Sequence, residues 1–294
     1  MTTMADWVEG ARLRTLPAAV SPVLAGTGAA VAAGAFRPVQ AVLALVVALA
    51  LQVGVNYAND YSDGIRGTDS AERVGPQRLV GSGAATAATV KRAAFGCFGL
   101  AGVAGLALVI LTQQWWLLAV GVACVLAAWY YTGGKHPYGY LGLGEVFVFV
   151  FFGLVAVCGT TYVQVGAVTL PSLFAAIAIG ALACAILVTN NLRDLDTDII
   201  AGKHTLETRL GDRGSRLLFV ALLVVTVLAV VAVAATTGRW WSLLGLAFVV
   251  PLAGPTRALL AGATGLPLVR VLKLTGIAEL IAAAGLLVGL SIPV

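Results

Sequence analysis

The chain has 294 residues, of which 60% are hydrophobic and only 11% are charged, and its mean hydropathy is +0.98. A soluble domain carries about 25% charged residues, so this composition excludes an ordinary soluble protein and predicts an integral membrane protein. The formal net charge is +5, but no nucleic-acid partner is expected, because the position of the basic residues has another explanation, given below.

Several apolar runs reach the roughly 20 residues that a helix needs to cross a hydrocarbon core of about 30 Å. These runs are continuous rather than alternating, which excludes a transmembrane β-barrel, and lipid cannot satisfy an open sheet. We therefore predict an all-α polytopic membrane protein with a single membrane-embedded domain over residues 1–294. The predicted spans, in chain order, are 16–35, 38–57, 89–112, 115–132, 144–163, 170–190, 216–237, 240–260 and 272–292.

Basic residues predict the orientation of these spans. Of the 18 Lys and Arg residues, only Arg37 and Arg239 lie in short turns on one side, and the other sixteen lie on the opposite side. The positive-inside rule places those sixteen in the cytoplasm. The predicted N-terminus is therefore cytoplasmic, the C-terminus is external, and the protein spans the cell membrane.

Cysteine and histidine offer little chemistry. Cys97, Cys124, Cys158 and Cys184 lie in four different apolar runs without CxxC spacing, which indicates small packing residues. The chain has only two histidines, far apart, so they do not predict a zinc site.

Acidic residues gather in two segments that follow apolar runs on the same side of the membrane. The first reads NYANDYSDGIRGTD from Asn56, and the second reads NNLRDLDTDIIAGKHT from Asn190. Each begins with asparagine at a helix end, passes through spaced aspartates and reaches a basic residue and a glycine-containing turn. The two segments are four spans apart and leave the membrane on the same face, as a loose internal duplication would produce.

The spacing of these aspartates predicts a metal site. Clustered carboxylates repel one another unless a cation offsets their charge, and oxygen ligands without His or Cys favour Mg²⁺. In a helix Asp60 and Asp63 share a face as an i, i+3 pair. Asp194 and Asp198 share one as an i, i+4 pair, while Asp196 points elsewhere. We predict two half-sites that hold a diphosphate through bridging Mg²⁺, with all four paired aspartates as metal ligands.

Basic residues beside the acidic segments are candidates for binding that anion. Arg binds phosphate oxygens bidentately and Lys as a point charge. The simpler interpretation is that such residues only follow the positive-inside rule, and we accept it for Lys91, Arg92, Arg213 and Arg216. The candidate phosphate-binding residues are Arg66, Arg73, Arg78, Lys135, Arg193 and Lys203.

Together these motifs resemble a known family. The two acidic segments are similar to the aspartate-rich motifs of the UbiA-type intramembrane prenyltransferases, and Tyr131 and Lys135 in YTGGK match that family's YxxxK element. The resemblance covers most of the chain, including the layout of nine spans. DGIRGTD, NNLRD and KHPYGYLGLGEVFVFVFFG look most like the 1,4-dihydroxy-2-naphthoate polyprenyltransferases of menaquinone synthesis. The commoner motif would place an aspartate at Gly67, so Asp69 would take that role here.

The resemblance implies nine helices around a central cavity, a cytoplasmic polar cap, and a polyprenyl diphosphate donor lying in an apolar groove open to the lipid bilayer. It implies a Mg²⁺ cofactor and transfer to 1,4-dihydroxy-2-naphthoate, with loss of CO₂ and diphosphate to give a demethylmenaquinol. Tyr131 and Lys135 are then catalytic candidates. Candidates to hold the acceptor carboxylate are Arg12, Arg14 and Lys135, and those to orient phosphate, metal-bound water or an acceptor hydroxyl are Asn59, Asn190 and Asn191.

Two glutamates in or beside predicted spans have open roles. Glu145, at the mouth of a span, and Glu279, within one, are ionisable groups near lipid and therefore functional candidates. For Glu279 a structural ion pair with Lys273 is the alternative.

Other functions stay open. A neighbouring branch of the resembled family would use 4-hydroxybenzoate as acceptor. A secondary transporter would also show repeated halves, but its charges would lie near the bilayer midplane. A CDP-alcohol phosphotransferase would need a DGxxAR run, which Asp63 and Gly64 do not begin. The sequence assigns neither prenyl chain length nor oligomeric state.

Overall fold

The computed structural model describes residues 2–67, 78–135 and 137–293, and over these ranges the chain is helical without strands, which confirms the all-α prediction. Single 3₁₀ turns occur at Leu13–Thr15 and Tyr138–Tyr140. The remaining helices, in chain order, are α1 Met4–Gly10, α2 Pro17–Ala32, α3 Pro38–Arg66, α4 Ala87–Thr112, α5 Leu117–Tyr130, α6 Gly144–Val165, α7 Leu170–Arg193, α8 Leu195–Ile200, α9 Leu206–Thr237, α10 Trp240–Leu260 and α11 Leu266–Ser291.

Most of these helices can cross a membrane. In the described part of the chain, seven helices are long and apolar enough, and an eighth span results if the pair Met4–Thr15 and Pro17–Ala32, bent by 48°, counts as one. Helix α5 is apolar but has only 14 residues. The protein is therefore a multi-pass membrane protein, whereas the count of nine spans stays a prediction.

Helix α7 forms the centre of the bundle. In its most apolar window 78% of the residues are buried, against 17–44% for the other long helices. It packs against α2, α6, α9 and α11 around a core that includes Ile179, Leu182, Val230 and Leu286. Residues Phe149–Cys158 of α6 form a π-helix. There Gly153 meets Gly180 so closely that a Cβ on Gly153 would lie 2.9 Å from the Gly180 Cα. The small residues allow this close crossing.

Helix ends differ from the predicted boundaries on the polar side. The second span was predicted to end at 57, but α3 continues to Arg66, and the α3 turns that contain Asp60 and Asp63 are helical. Similarly, α7 continues to Arg193. The predictions followed the apolar runs, which report only the part of a helix that lies in lipid. A helix continues into the polar region as long as its backbone hydrogen bonds are made. At the start of α9 the helix breaks at Gly211, whose φ of 70° suits glycine.

The contact between α10 and α11 also depends on glycine, and it supports a prediction about stability. A Cβ on Gly289 would lie 2.1 Å from the Trp241 carbonyl oxygen, which belongs to rigid backbone. We expect Gly289→Ala to destabilise the protein by about 1–3 kcal/mol, because the core is overpacked. Gly254→Ala is the matched control, since a Cβ there meets nothing within 4 Å. Thermal denaturation in detergent should give a lower midpoint for the first variant only, and equal midpoints would contradict this packing.

Candidate active site

Two aspartates near the end of α3 are buried and have different partners. The Asp60 carboxylate accepts hydrogen bonds from the backbone N–H groups of Leu79 at 2.8 Å and Val80 at 2.9 Å. Asp63 accepts a hydrogen bond from the Tyr140 hydroxyl at 2.8 Å and pairs with Arg78 at 3.2 Å. Asp60 therefore binds the backbone at Leu79 and Val80, which follow the first acidic segment, whereas Asp63 binds a cation and a phenol.

Tyr140 joins the two acidic segments. Its hydroxyl donates to Asp63, and the Lys203 ammonium lies 5.0 Å from the centre of its ring. Lys203 in turn pairs with Asp198 at 2.8 Å. This series of three contacts links Asp63 to Asp198 across 135 positions of sequence, so both acidic segments lie at the same rim of the bundle.

The Tyr140 phenol stays protonated at neutral pH. Burial raises its pKa above the ordinary value, and the adjacent Asp63 carboxylate raises the pKa further. The hydroxyl is therefore a hydrogen-bond donor to Asp63.

The end of α7 supplies a second ion pair. The Arg193 guanidinium donates to both carboxylate oxygens of Asp194, at 2.7 Å and 2.5 Å, and to Asn190 Oδ1 at 3.0 Å. Asp194 immediately precedes α8, and the Asp198 N–H donates to its carbonyl at 2.8 Å. The predicted helical spacing of Asp194 and Asp198 is therefore present, with Asp198 buried and Asp196 exposed.

The YTGGK element packs against the end of α3. Thr132 donates to Asn59 Oδ1 at 2.7 Å, and Arg66 donates to the carbonyls of Thr132 and Gly134. Arg66 also lies 5.6 Å from the centre of the Tyr140 ring. This set of contacts brings the YTGGK turn to the same rim. Two catalytic candidates are in this element: Tyr131 stacks edge-on against Tyr138, and Lys135 is exposed.

The two arginines before α2 approach the same rim. The positive charge of Arg12 attracts the Asp60 carboxylate, and the like charges of Arg14 and Arg193 repel each other. Arg12 has a left-handed backbone with a φ of 53°. Arg12, which we predict to bind the acceptor, therefore lies near Asp60, which we predict to bind the metal.

Beneath the rim lies a group of buried acids. Asn191 Nδ2 donates to Glu145 Oε1 at 3.3 Å and to Glu207 Oε2 at 2.8 Å. Glu279 is fully buried, and neither of its carboxylate oxygens has a hydrogen-bond partner among the described residues. The alternative of an ion pair between Glu279 and Lys273 is therefore wrong.

These residues fit a divalent metal with a phosphate ligand better than a metal held by protein alone. Among the described residues no group of three or more His, Cys, Asp or Glu side chains could hold a metal ion. Instead, Asp63, Asp194 and Asp198 each pair with a cationic side chain. Mg²⁺ commonly takes only one or two carboxylates and completes its shell with water and phosphate oxygens, which this all-oxygen donor set allows.

Some predicted residues cannot be placed, and others were missed. Asp69 and Arg73 lie outside the described residues. Tyr140 and Glu207 were given no role from sequence, although both are central to the contacts described above. Tyr140 lies in a turn with a second tyrosine, and Glu207 lies in the first turn of α9, where an acid favours the helix dipole. Neither position indicates a functional role by itself. The available signal for Tyr140 was its place in KHPYGYLGLGEV, beside YTGGK.

Comparison with known proteins supplies the family. The model of the UbiA prenyltransferase family matches residues 19–263. The chain belongs to the UbiA prenyltransferase family. A relative from Mycobacterium tuberculosis, named 1,4-dihydroxy-2-naphthoate octaprenyltransferase, is 52% identical over 286 residues, which cover 96% of this chain and 95% of that protein. The resemblance to UbiA-type prenyltransferases is therefore confirmed.

Solved UbiA homologues share the fold. An apo structure from Aeropyrum pernix K1 matches with a TM-score of 0.71 and 17% identity, over 92% of this chain and 97% of the other. A homologue from Archaeoglobus fulgidus, bound to DMAPP and Mg²⁺, matches with a TM-score of 0.61 and 14% identity, over 98% of this chain and 100% of the other. At these identities the likeness establishes a common fold.

Proposed function

We propose that this UbiA family member is a Mg²⁺-dependent prenyltransferase that transfers a polyprenyl group from polyprenyl diphosphate to 1,4-dihydroxy-2-naphthoate. CO₂ and diphosphate are released, and the product is a demethylmenaquinol. The observation that carries this proposal is the series of contacts from Asp63 through Tyr140 and Lys203 to Asp198. It supports our inference that both acidic segments bind one ligand. The name of the mycobacterial relative supports the choice of acceptor.

The metal would be held by carboxylates of both segments. Asp63, Asp194 and Asp198 are the first candidates. Asp60 is a further candidate, because each of its oxygens accepts one backbone N–H and keeps a lone pair for a metal. When bound, Mg²⁺ supplies Lewis-acid stabilisation of the negative charge that develops on the leaving diphosphate.

The cations of the rim would bind the diphosphate itself. Arg78, Arg193 and Lys203 each pair with an aspartate here. Charge-assisted hydrogen bonds from such groups to phosphate are strong, so an incoming diphosphate competes well for them. Binding of donor would thus exchange internal ion pairs for contacts with phosphate oxygens, while Arg66 adds positive charge from the surface.

The two substrates would reach the rim from different sides. Each CH₂ group of a polyprenyl chain is worth about 0.8 kcal/mol in lipid, so the donor stays in the bilayer. The acceptor carboxylate needs a cation, for which Arg12, Arg14 and Lys135 are candidates. Asn59 binds Thr132, which follows Tyr131 in the YTGGK element that also contains Lys135. The rim faces the cytoplasm in the orientation that the basic residues predict, with the protein in the cell membrane and its polar cap inside.

One assay tests this function. Purified protein is incubated with Mg²⁺, a polyprenyl diphosphate and a panel of aromatic acids, and products are identified by mass. We expect a prenylated, decarboxylated product from 1,4-dihydroxy-2-naphthoate and release of diphosphate. Conversion of 4-hydroxybenzoate alone would assign the protein to another branch of the family. Substrate uptake into sealed vesicles without any product would instead identify a transporter.

Removing the Tyr140 hydroxyl tests the connection between the acidic segments. Tyr140→Phe keeps the ring beside Lys203 but deletes the hydrogen bond to Asp63, and we expect turnover to fall about tenfold, equivalent to about 1.4 kcal/mol. Tyr138→Phe is the matched control, because that hydroxyl donates to the Ala127 carbonyl and not to an acidic side chain among the described residues. Equal turnover of the Tyr140→Phe variant and the wild type would show that Asp63 needs no support from Tyr140.

A further inference from the structure

Asn191 is held by two acids in a defined orientation. Its side-chain Nδ2 donates one hydrogen bond to Glu145 and one to Glu207. Glu207 is fully buried and Glu145 is 9% exposed. An amide nitrogen has two hydrogens, so both of its donors are used, and both bonds point away from solvent.

The two carboxyl groups also interact with each other. They are adjacent, because both accept a hydrogen bond from the same Asn191 nitrogen, at 3.3 Å and 2.8 Å, and Glu207 Oε1 has no hydrogen-bond partner among the described residues. Two buried carboxylates cannot both be ionised cheaply, because like charges repel strongly in a medium of low dielectric constant. One proton on the pair removes the repulsion and gives one carboxyl group an O–H donor.

This arrangement leaves the amide oxygen as the group that Asn191 presents. Asn191 Oδ1 accepts no hydrogen bond from the described residues, and unlike Glu207 Oε1 it is not among the buried side-chain oxygens without a partner. The side chain is half-buried and lies next to Asn190, which contacts Arg193 at the rim. Asn191 therefore offers the site a hydrogen-bond acceptor and no donor.

The chemistry of the substrates then selects the partner. An ionised diphosphate presents acceptor oxygens and no donor, so it cannot satisfy Asn191 Oδ1. A hydroxylated aromatic acid does carry donors. In 1,4-dihydroxy-2-naphthoate the hydroxyl at ring position 1 bonds internally to the neighbouring carboxylate, which leaves the hydroxyl at position 4 available. We propose that Asn191 Oδ1 accepts a hydrogen bond from the 4-hydroxyl of the acceptor and that Glu145 and Glu207 are the positioning residues that fix this orientation. This assignment rests on the proposed function.

A comparison of two ligands tests the assignment without catalysis. Equilibrium binding of 1,4-dihydroxy-2-naphthoate and of 1-hydroxy-2-naphthoate, which lacks the 4-hydroxyl, is measured under reducing conditions with neither Mg²⁺ nor donor present. We expect the wild type to bind the dihydroxy acid about tenfold more tightly and Asn191→Ala to bind both acids equally. An unchanged tenfold preference in Asn191→Ala would overturn the proposal.

Variants of the acids test their positioning role. Glu207→Gln keeps a hydrogen-bonding partner for Glu145 and an acceptor oxygen for Asn191, so we expect the preference for the dihydroxy acid to be retained. Glu207→Leu removes the acceptor and should abolish the preference, with KM for the acceptor raised about tenfold and KM for the donor changed less than twofold. Retention of the preference in Glu207→Leu, provided that the variant purifies as a folded protein, would contradict the positioning role.

Asn190→Ala provides a contrast on the same helix. Because Asn190 Oδ1 accepts from Arg193, we expect this variant to change KM for the diphosphate and to leave the preference between the two acids intact. If the wild type binds neither acid, or turns over no naphthoate, the proposed function fails. If it binds and turns over the dihydroxy acid but Asn191→Ala keeps the preference, only the present inference fails.

Discussion

Replacing Asp198 by Ala should reduce turnover about 100-fold or more while leaving a folded protein in detergent. Asp198 is buried in the middle of the second acidic segment and is paired with Lys203. Its loss removes a candidate metal ligand and also releases the lysine that lies against Tyr140. Removal of one group that stabilises developing charge typically costs 10²–10³ in rate. Turnover is measured with the naphthoate and a polyprenyl diphosphate, and folding by size-exclusion chromatography.

Asp196→Ala is the matched control for this variant. Asp196 lies two residues away in the same short helix but is exposed, so we expect its removal to change turnover less than twofold. More than a tenth of wild-type turnover in Asp198→Ala would count heavily against a role in holding the metal and diphosphate. An equal loss in both variants would point to general damage to this helix.

Asp60→Asn should lower both stability and turnover. Each Asp60 oxygen accepts a backbone N–H, from Leu79 and from Val80. An asparagine offers one acceptor oxygen and must direct its NH₂ group at the second N–H, which leaves a buried donor unsatisfied. Such a loss costs about 1–3 kcal/mol. Thermal denaturation in detergent should therefore show a lower midpoint together with reduced activity.

The equivalent change at Asp63 separates structure from chemistry. Asp63 is bound by the side chains of Arg78 and Tyr140. We expect Asp63→Asn to lose turnover with a smaller change in the denaturation midpoint than Asp60→Asn. A fully stable but inactive Asp60→Asn protein would instead show that Asp60 serves the metal.

The apolar pattern was sufficient to predict the helical fold and the approximate position of its helices. It was less informative at helix ends, as at the end of α3, where polar residues up to Arg66 continue the helix beyond the apolar run. It also did not separate α5, with 14 residues, from the longer spans. Hydropathy measures the preference of side chains for lipid, whereas helix length depends on backbone hydrogen bonds and on caps.

The acidic motifs predicted which segments meet, but not how they meet. Asp63 and Asp198 were selected from charge and spacing, and both are buried. Tyr140, which binds Asp63, contacts Lys203, which binds Asp198. Tyr140 and Glu207 were missed because their importance comes from contacts between segments distant in sequence. A single tyrosine or glutamate has no periodicity or spacing that could indicate such a contact.

The burial of α7 has a consequence for how the protein responds to its surroundings. This helix carries Asn190, Asn191 and Arg193 at its end and is shielded on most sides by its neighbours. Bilayers of unequal thickness are accommodated by tilting of helices that touch lipid. Helices α3 and α10 are the least buried of the long helices, at 17% and 22%, so we expect them to face the acyl chains and to tilt first. The α7 half of the rim is then insulated from changes in lipid composition.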